Sequence, residues 1–300
     1  MSQRSGAGGT LGAWLLGVLV IALVAVTVGL TALALSHVQP TEPSGTVPPP
    51  NTFSPVPAPT ASATETTPPA AHSRAEERFL AVGTEVLWRG TAGECGVAEP
   101  LLERSADAGE NWVDVTPRYL DIAQLASVDA FADTEADIVA AWGEECEVQL
   151  RRTFSQGDFW DDYSELLDLY RHVSIPNPAE VLTSDGPVAA PCADPRSFRA
   201  AGEVMALVCE GTALVFTDDA WSPLPAADVH ALTIDDGEVV LAHLTDACEG
   251  LALTRYTDAS DATDLGCAAV DDPSAPVAIA AAGEEILVWS GNDWLAVSAE

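Results

Sequence analysis

The chain has 300 residues with 12 Lys+Arg against 46 Asp+Glu, a formal net charge of −34 at pH 7. All twelve cations are arginine, and so acidic a surface repels a polyanion, which excludes nucleic acid as a partner. The first 38 residues hold only Arg4 and no acid, so the negative charge is confined to residues 39–300, and the apolar run within those first 38 speaks against a wholly cytosolic globule.

Residues 1–10 are expected to be a short cytoplasmic N-terminus. Residues 11–35 are uncharged and rich in Leu, Val and Ala. As a helix they reach about 37 Å, enough to cross a hydrocarbon core of about 30 Å with some tilt. Arg4 lies before the run and the flank after it has no cation, so the positive-inside bias leaves the N-terminus in the cytoplasm and the remainder outside. The competing reading is a cleaved signal peptide with Ala32-Leu33-Ala34 as its small-residue site. Against it, the apolar run is longer than the roughly 7–15 residues of a signal core. The expectation is a single-pass signal anchor in the cell membrane.

Residues 36–72 change character, with 10 of the 21 prolines and seven threonines in 38–72. This segment lacks the large apolar side chains needed to offset its ordering entropy and reads as an extended, disordered stalk. Its Thr/Ser/Pro content also suits O-glycosylation.

Residues 73–300 carry all six cysteines and 11 Arg against 44 acids. An even cysteine count in an exported domain points to disulfides, and no CxxC spacing or nearby histidine speaks for zinc. Apolar runs of four to seven residues (TEVLWRG, DIVAAWG, EVMALVC, EVVLAHL, EILVWSG) alternate with Gly/Asp turns, the pattern of an all-β fold. Only the stretch around Trp160 to His172 has room for a helical turn or two.

Aligned on Cys95, Cys146, Cys209 and Cys248, the domain repeats: a strand, a tight turn at the cysteine, a second strand, then a Ser/Thr-Asp-rich turn. The first such turn runs Ser105-Ala106-Asp107-Ala108-Gly109-Glu110-Asn111-Trp112. Its Ser and Asp side chains suit hairpin amides, Gly109 supplies a positive φ, and Trp112 is an apolar anchor. A second copy, with Thr153, Ser155, Gly157 and Trp160, follows at a Trp-to-Trp interval of 48 residues. Degenerate copies lie at Thr217 to Trp221 and Ser290 to Trp294. These turns resemble the Asp-box of BNR-repeat β-propellers, a superfamily that includes sialidases and photosystem-assembly factors.

The resemblance implies a propeller of about five four-stranded blades, starting near residues 79, 121, 190, 228 and 276. The last is short, and the ring is expected to close by borrowing a strand from Ser73 to Leu80. In this register the cysteines pair as Cys95–Cys146 between neighbouring blades, and as Cys192–Cys209 and Cys248–Cys267 within blades. Each bridge is worth about 3–4 kcal/mol through constraint of the unfolded chain.

Chemistry is harder to find. Sialidases hold their substrate carboxylate on three arginines beside a Tyr–Glu pair, and Arg151, Arg152, Arg196, Arg199 and Arg255 show no spacing that singles out a triad. His172, His230 and His243 have no metal-binding spacing, and acidic pairs such as Asp161-Asp162, Asp218-Asp219, Asp235-Asp236 and Asp271-Asp272 form no calcium loop. No catalytic, cofactor or metal residues are assigned, and no serine-hydrolase, dinucleotide or P-loop motif occurs. The expected role is a non-catalytic binding or assembly scaffold at the cell envelope for a protein or glycan partner. Trp88, Trp142 and Trp289 are candidate contacts, although equivalent strand positions favour blade-core packing. A sialidase-like glycoside hydrolase is the alternative.

Overall fold

The computed structural model describes residues 72–299. The expectations for the cytoplasmic N-terminus, the anchor and residues 36–71 of the stalk lie outside the described residues. Among the described residues no helix is long and apolar enough to cross a membrane.

The chain winds into six antiparallel sheets, each a simple meander. The first contains β1 (Arg78–Val82), β2 (Leu87–Thr91), β3 (Leu101–Ser105) and β4 (Val113–Asp114). The second contains β5 (Ile122–Ala130), β6 (Ala136–Trp142), β7 (Glu147–Thr153) and β8 (Asp161–Asp162), and the third β9 (His172–Val173), β10 (Glu180–Leu182) and β11 (Val188–Ala189). The fourth holds β12 (Arg196–Ala201), β13 (Val204–Cys209), β14 (Thr212–Thr217) and β15 (Ala220–Pro223). The fifth holds β16 (Val229–Asp235), β17 (Glu238–Thr245), β18 (Cys248–Asp258) and β19 (Asp261–Ala268), and the sixth β20 (Val277–Ala282), β21 (Glu285–Ser290) and β22 (Asp293–Ser298). The first strands β1, β5, β9, β12, β16 and β20 contact one another in turn, and β20 returns to β1. The fold is a six-bladed β-propeller.

Five blades were expected, and the third is the addition. Its strands are two or three residues long, too short for an apolar run or an alternation to register, so residues 121–189 read as one unit. The helical turns expected before it are a 3-10 segment, Ser164–Leu169. The last blade has three strands, but the expected strand exchange does not occur. β1 pairs with β2 in its own blade, leaving blades 1 and 6 to meet through side chains.

The core lies between blades rather than in one central mass. Phe79, Trp88 and Leu102 of blade 1 pack on Ile122, Leu125 and Ile138 of blade 2, and Ala231, Val240 and Leu253 of blade 5 pack on Ile279 and Val288 of blade 6. Alanines at Ala136, Ala140, Ala206, Ala242 and Ala278 are interspersed with larger buried side chains in the first and second strands. Trp88, Trp142 and Trp289 are buried too, so these equivalent positions are packing positions.

The disulfides join Cys95 to Cys146, Cys192 to Cys209 and Cys248 to Cys267, the pairs expected from the repeat. Cys95, Cys146, Cys209 and Cys248 all stand at the hairpin between second and third strands of their blades. The first bridge therefore ties two neighbouring blades at equivalent corners. The second fastens the connection between blades 3 and 4 to β13, and the third lies within blade 5.

Burial holds His172, His230 and His243 below the usual imidazole value of 6.5. The unfolded chain therefore takes up protons first as pH falls, so the stability these neutral rings contribute is present above 6.5 and declines below it. The urea midpoint is expected to be lower at about pH 5.5 than at about pH 7.5. His172→Gln should shrink that difference, since His172 is buried at the start of β9 with only Nδ1 near a partner, the Tyr170 carbonyl at 3.2 Å. An unchanged difference in the variant would remove His172 from the account.

Candidate functional site

The turn between β3 and β4 is built as its residues demand. Ser105 Oγ accepts the Gly109 amide at 2.9 Å and donates to Asp107 at 2.7 Å, and Asp107 accepts the Asn111 amide at 2.9 Å. These bonds to the ionised form, that to the Asn111 side chain first, hold Asp107 below the usual carboxylate range. Between β7 and β8 the same plan recurs: Thr153 Oγ1 accepts the Gly157 amide at 2.9 Å and Ser155 Oγ accepts the Phe159 amide at 2.8 Å. The backbone repeats as well, with φ of 58° and 91° at Ala108 and Gly109 against 57° and 88° at Gln156 and Gly157.

Both glycines meet the preceding blade. A Cβ on Gly157 would lie 2.8 Å from Val115 Cβ in blade 1, and one on Gly109 would lie 2.2 Å from Trp294 Nε1 in blade 6. The Trp294 indole also donates to the Ala108 carbonyl at 3.2 Å. These corners therefore join blades as well as turning the chain. The Thr217 to Trp221 copy occupies the corresponding β14–β15 hairpin in shortened form. Ser290 to Trp294 does not, because it forms the hairpin between second and third strands of blade 6.

At the junction of blades 6 and 1 the missing strand exchange is replaced by alternating cations and rings. Arg78 lies over Trp289 at 4.1 Å, Arg89 over Trp289 at 4.7 Å and over Trp112 at 4.1 Å. Trp112 meets Trp294 edge to face at 5.1 Å. Glu103 pairs with Arg89 at 2.7 Å, whereas burial brings the Arg78 guanidinium down to about 10.

Two further features face outward or onto the axis. On blade 2, Phe131, Phe154 and Phe159 are 44%, 55% and 72% exposed. Phe131 and Phe154 meet edge to face at 6.1 Å, and Phe154 meets Tyr163 at 6.2 Å. Arg152 lies beneath, 4.4 Å from the Phe131 ring, locked by two 2.7 Å bonds to buried Asp137. Tyr170 donates to the same carboxylate and is pushed up to about 12, by burial first and then by Asp137. Beside the turn, Tyr119, 59% exposed, accepts the Trp160 amide at 2.9 Å. Phe131 directly follows β5 and Phe154 directly follows β7, so these rings stand at strand ends. Arg152 and Trp160 were weighed in the sequence for other roles, but the phenylalanines and tyrosines were not singled out, although a phenylalanine on either side of a Ser-Gln-Gly turn was the available signal.

On the axis lies a cavity of about 240 Å³ lined by every inner strand or its approach, from Ala81 and Val82 to Ala280 and Ala281. It lies toward the C-terminal ends of those strands, where Ala130 lines it and Phe131 begins the blade 2 patch. Its charged lining comprises Asp129, Arg171 and Arg199. The opposite end of the axis is crossed by residues 72–77. Arg74 donates to the Pro195 carbonyl at 2.9 Å, Glu77 accepts the Ser197 amide at 2.9 Å, and His72 meets the Ser274 carbonyl.

The arginines weighed for a sialidase triad do not converge. Arg152 is committed to Asp137, Arg196 to Asp194, and Arg255 to Asp235 and Glu238, while Arg151 covers Trp142 at 4.8 Å. Of the five, only Arg199 borders the axial cavity. Among the described residues no group of three or more His, Cys, Asp or Glu is placed to hold a metal ion.

No family model matches the chain, and no curated protein matches it. Solved structures with a similar arrangement include YCF48 bound to D1 peptide, at 12% identity and TM-score 0.41 over 74% of this chain and 78% of that one. The Hadza microbial sialidase Hz136 aligns at 10% identity and TM-score 0.34, over 74% of this chain and 52% of the sialidase. A glycosidase-like protein from Bacteroides thetaiotaomicron aligns at 10% identity and TM-score 0.33, over 74% of this chain and 85% of its own.

Proposed function

We propose that the chain is a single-pass membrane protein whose exported propeller works as a non-catalytic scaffold, holding a protein partner on the face that carries Phe131, Phe154 and Phe159. The corner turns are taken as degenerate Asp-boxes that fix the ring, and the stalk as the spacer that presents it. The reading rests chiefly on the exposed phenylalanine cluster of blade 2, held from below by the Arg152–Asp137 pair. Exposed rings grouped on a rigid surface are the composition of a protein-contact hot spot, and the acidic domain around them favours a partner with a cationic rim.

The test is recovery of partners with the full-length anchored protein from its own envelope, against Phe154→Ser/Phe159→Ser. Both side chains are exposed, so stability should change by no more than about 0.5 kcal/mol each. The proteins retained by the wild type should fall at least about tenfold, a loss of roughly 1.4 kcal/mol or more. Equal recovery by both would overturn the reading. Alkaline extraction of the same membranes tests the anchor: the intact chain should stay with the bilayer, and its release would count against the tether.

A further inference from the structure

The axial cavity holds an unusual pairing in a domain so dominated by acid. Asp129 on β5 and Arg199 on β12 line it from different walls, yet among the described residues neither forms an ion pair with the other or with any third group. One Arg199 nitrogen donates to the Phe198 carbonyl at 2.8 Å, while Nη2 is buried without a partner. Arg171, at the approach to β9, spends one nitrogen on the Gly202 carbonyl at 2.7 Å and borders the same space. The nearby acid on the strap, Glu77, is already committed to Arg74 and the Ser197 amide.

Desolvation, the first cause in each case, raises Asp129 above, and lowers Arg199 below, their usual ranges, although Asp129 keeps an exposed surface and Arg199 is half-buried. The Arg199 Nη2 left buried without a partner is costly, while Asp129 opens onto the same axial space without an ion-pair partner, and a blade-forming strand gains nothing structural from either. A molecule carrying both complementary charges engages both at once.

We propose that the axial cavity binds a zwitterion of the α-amino-acid class, its carboxylate received by Arg199 and Arg171 and its ammonium by Asp129. The volume, about 240 Å³, is below the roughly 300 Å³ at which drug-sized pockets begin and suits so small a molecule. Phe79, Phe198 and Ile234 supply apolar walls for a side chain. A simple anion would leave Asp129 unpaired, and a simple amine would leave both arginines so. The site is independent of the phenylalanine patch and stands whether or not that surface docks a partner.

Calorimetric titration of the full-length protein with each of the twenty amino acids in turn gives the test, the best binder then being compared with its des-amino and des-carboxy analogues. At least one amino acid should saturate below about 10 mM, and each analogue should bind at least about tenfold more weakly. Asp129→Asn should erase the preference for the amino acid over its des-amino analogue, and Phe154→Ser/Phe159→Ser should leave binding unchanged. If no amino acid saturates, the site is not there. Equal binding of the des-amino analogue to wild type overturns the assigned class, and this comparison on unaltered protein holds even if a variant folds poorly.

Discussion

Trp289→Ala is expected to lower the unfolding free energy by about 3–5 kcal/mol, the range for truncating a buried tryptophan. The indole lies at the junction where the ring must close without a shared strand, between Arg78 at 4.1 Å and Arg89 at 4.7 Å. Removing it opens a cavity in that seam and strips both guanidiniums of a ring they share. Arg78 suffers most, being the buried member whose proton is already held less tightly than usual. Trp289→Phe keeps an aromatic face and should cost about half as much or less. Urea unfolding followed by circular dichroism measures both. Equal losses for Ala and Phe would show that neither the aromatic face nor the volume that Phe restores supports this seam.

Gly109→Ala should cost about 3 kcal/mol or more, combining an unfavourable φ of 91° with a methyl placed 2.2 Å from Trp294 Nε1. Gly157→Ala, with a φ of 88°, would place its methyl 2.8 Å from Val115 Cβ and should be milder, because that overlap is smaller than the 2.2 Å approach to an indole held by its bond to the Ala108 carbonyl. A double-mutant cycle separates the two causes. Trp294→Ala in the Gly109→Ala background relieves the collision but not the dihedral, so the combined loss should fall short of the sum of the single losses. Strict additivity would assign the whole effect to the backbone.

The parts of this fold that were legible in sequence are those written locally. The Ser105 to Trp112 and Thr153 to Trp160 turns announce themselves because hydroxyl, glycine and tryptophan must recur at fixed offsets. Cys95–Cys146 followed because it joins equivalent hairpins of neighbouring blades, and Cys192–Cys209 and Cys248–Cys267 because they close short loops with separations of 17 and 19 residues. Blade 3 was hidden because strands as short as His172–Val173 and Val188–Ala189 carry no periodicity, their place being set by neighbours. The Arg78–Trp289–Arg89–Trp112 ladder was hidden for another reason: it unites residues some two hundred positions apart, and no local pattern specifies that meeting. Asp129 left a faint trace as an acid inside the apolar alternation of β5. Its relation to Arg199 depended on the ring having been closed with the right number of blades.

The strap of residues 72–77 has a mechanical consequence. The segment touches blade 1, the approach to blade 4 and the linker into blade 6, so any pull on the chain before it would be met at three sectors rather than at one outer edge. It fastens the start of the domain to sectors far apart in sequence while leaving the other end of the axis, with its cavity, uncovered.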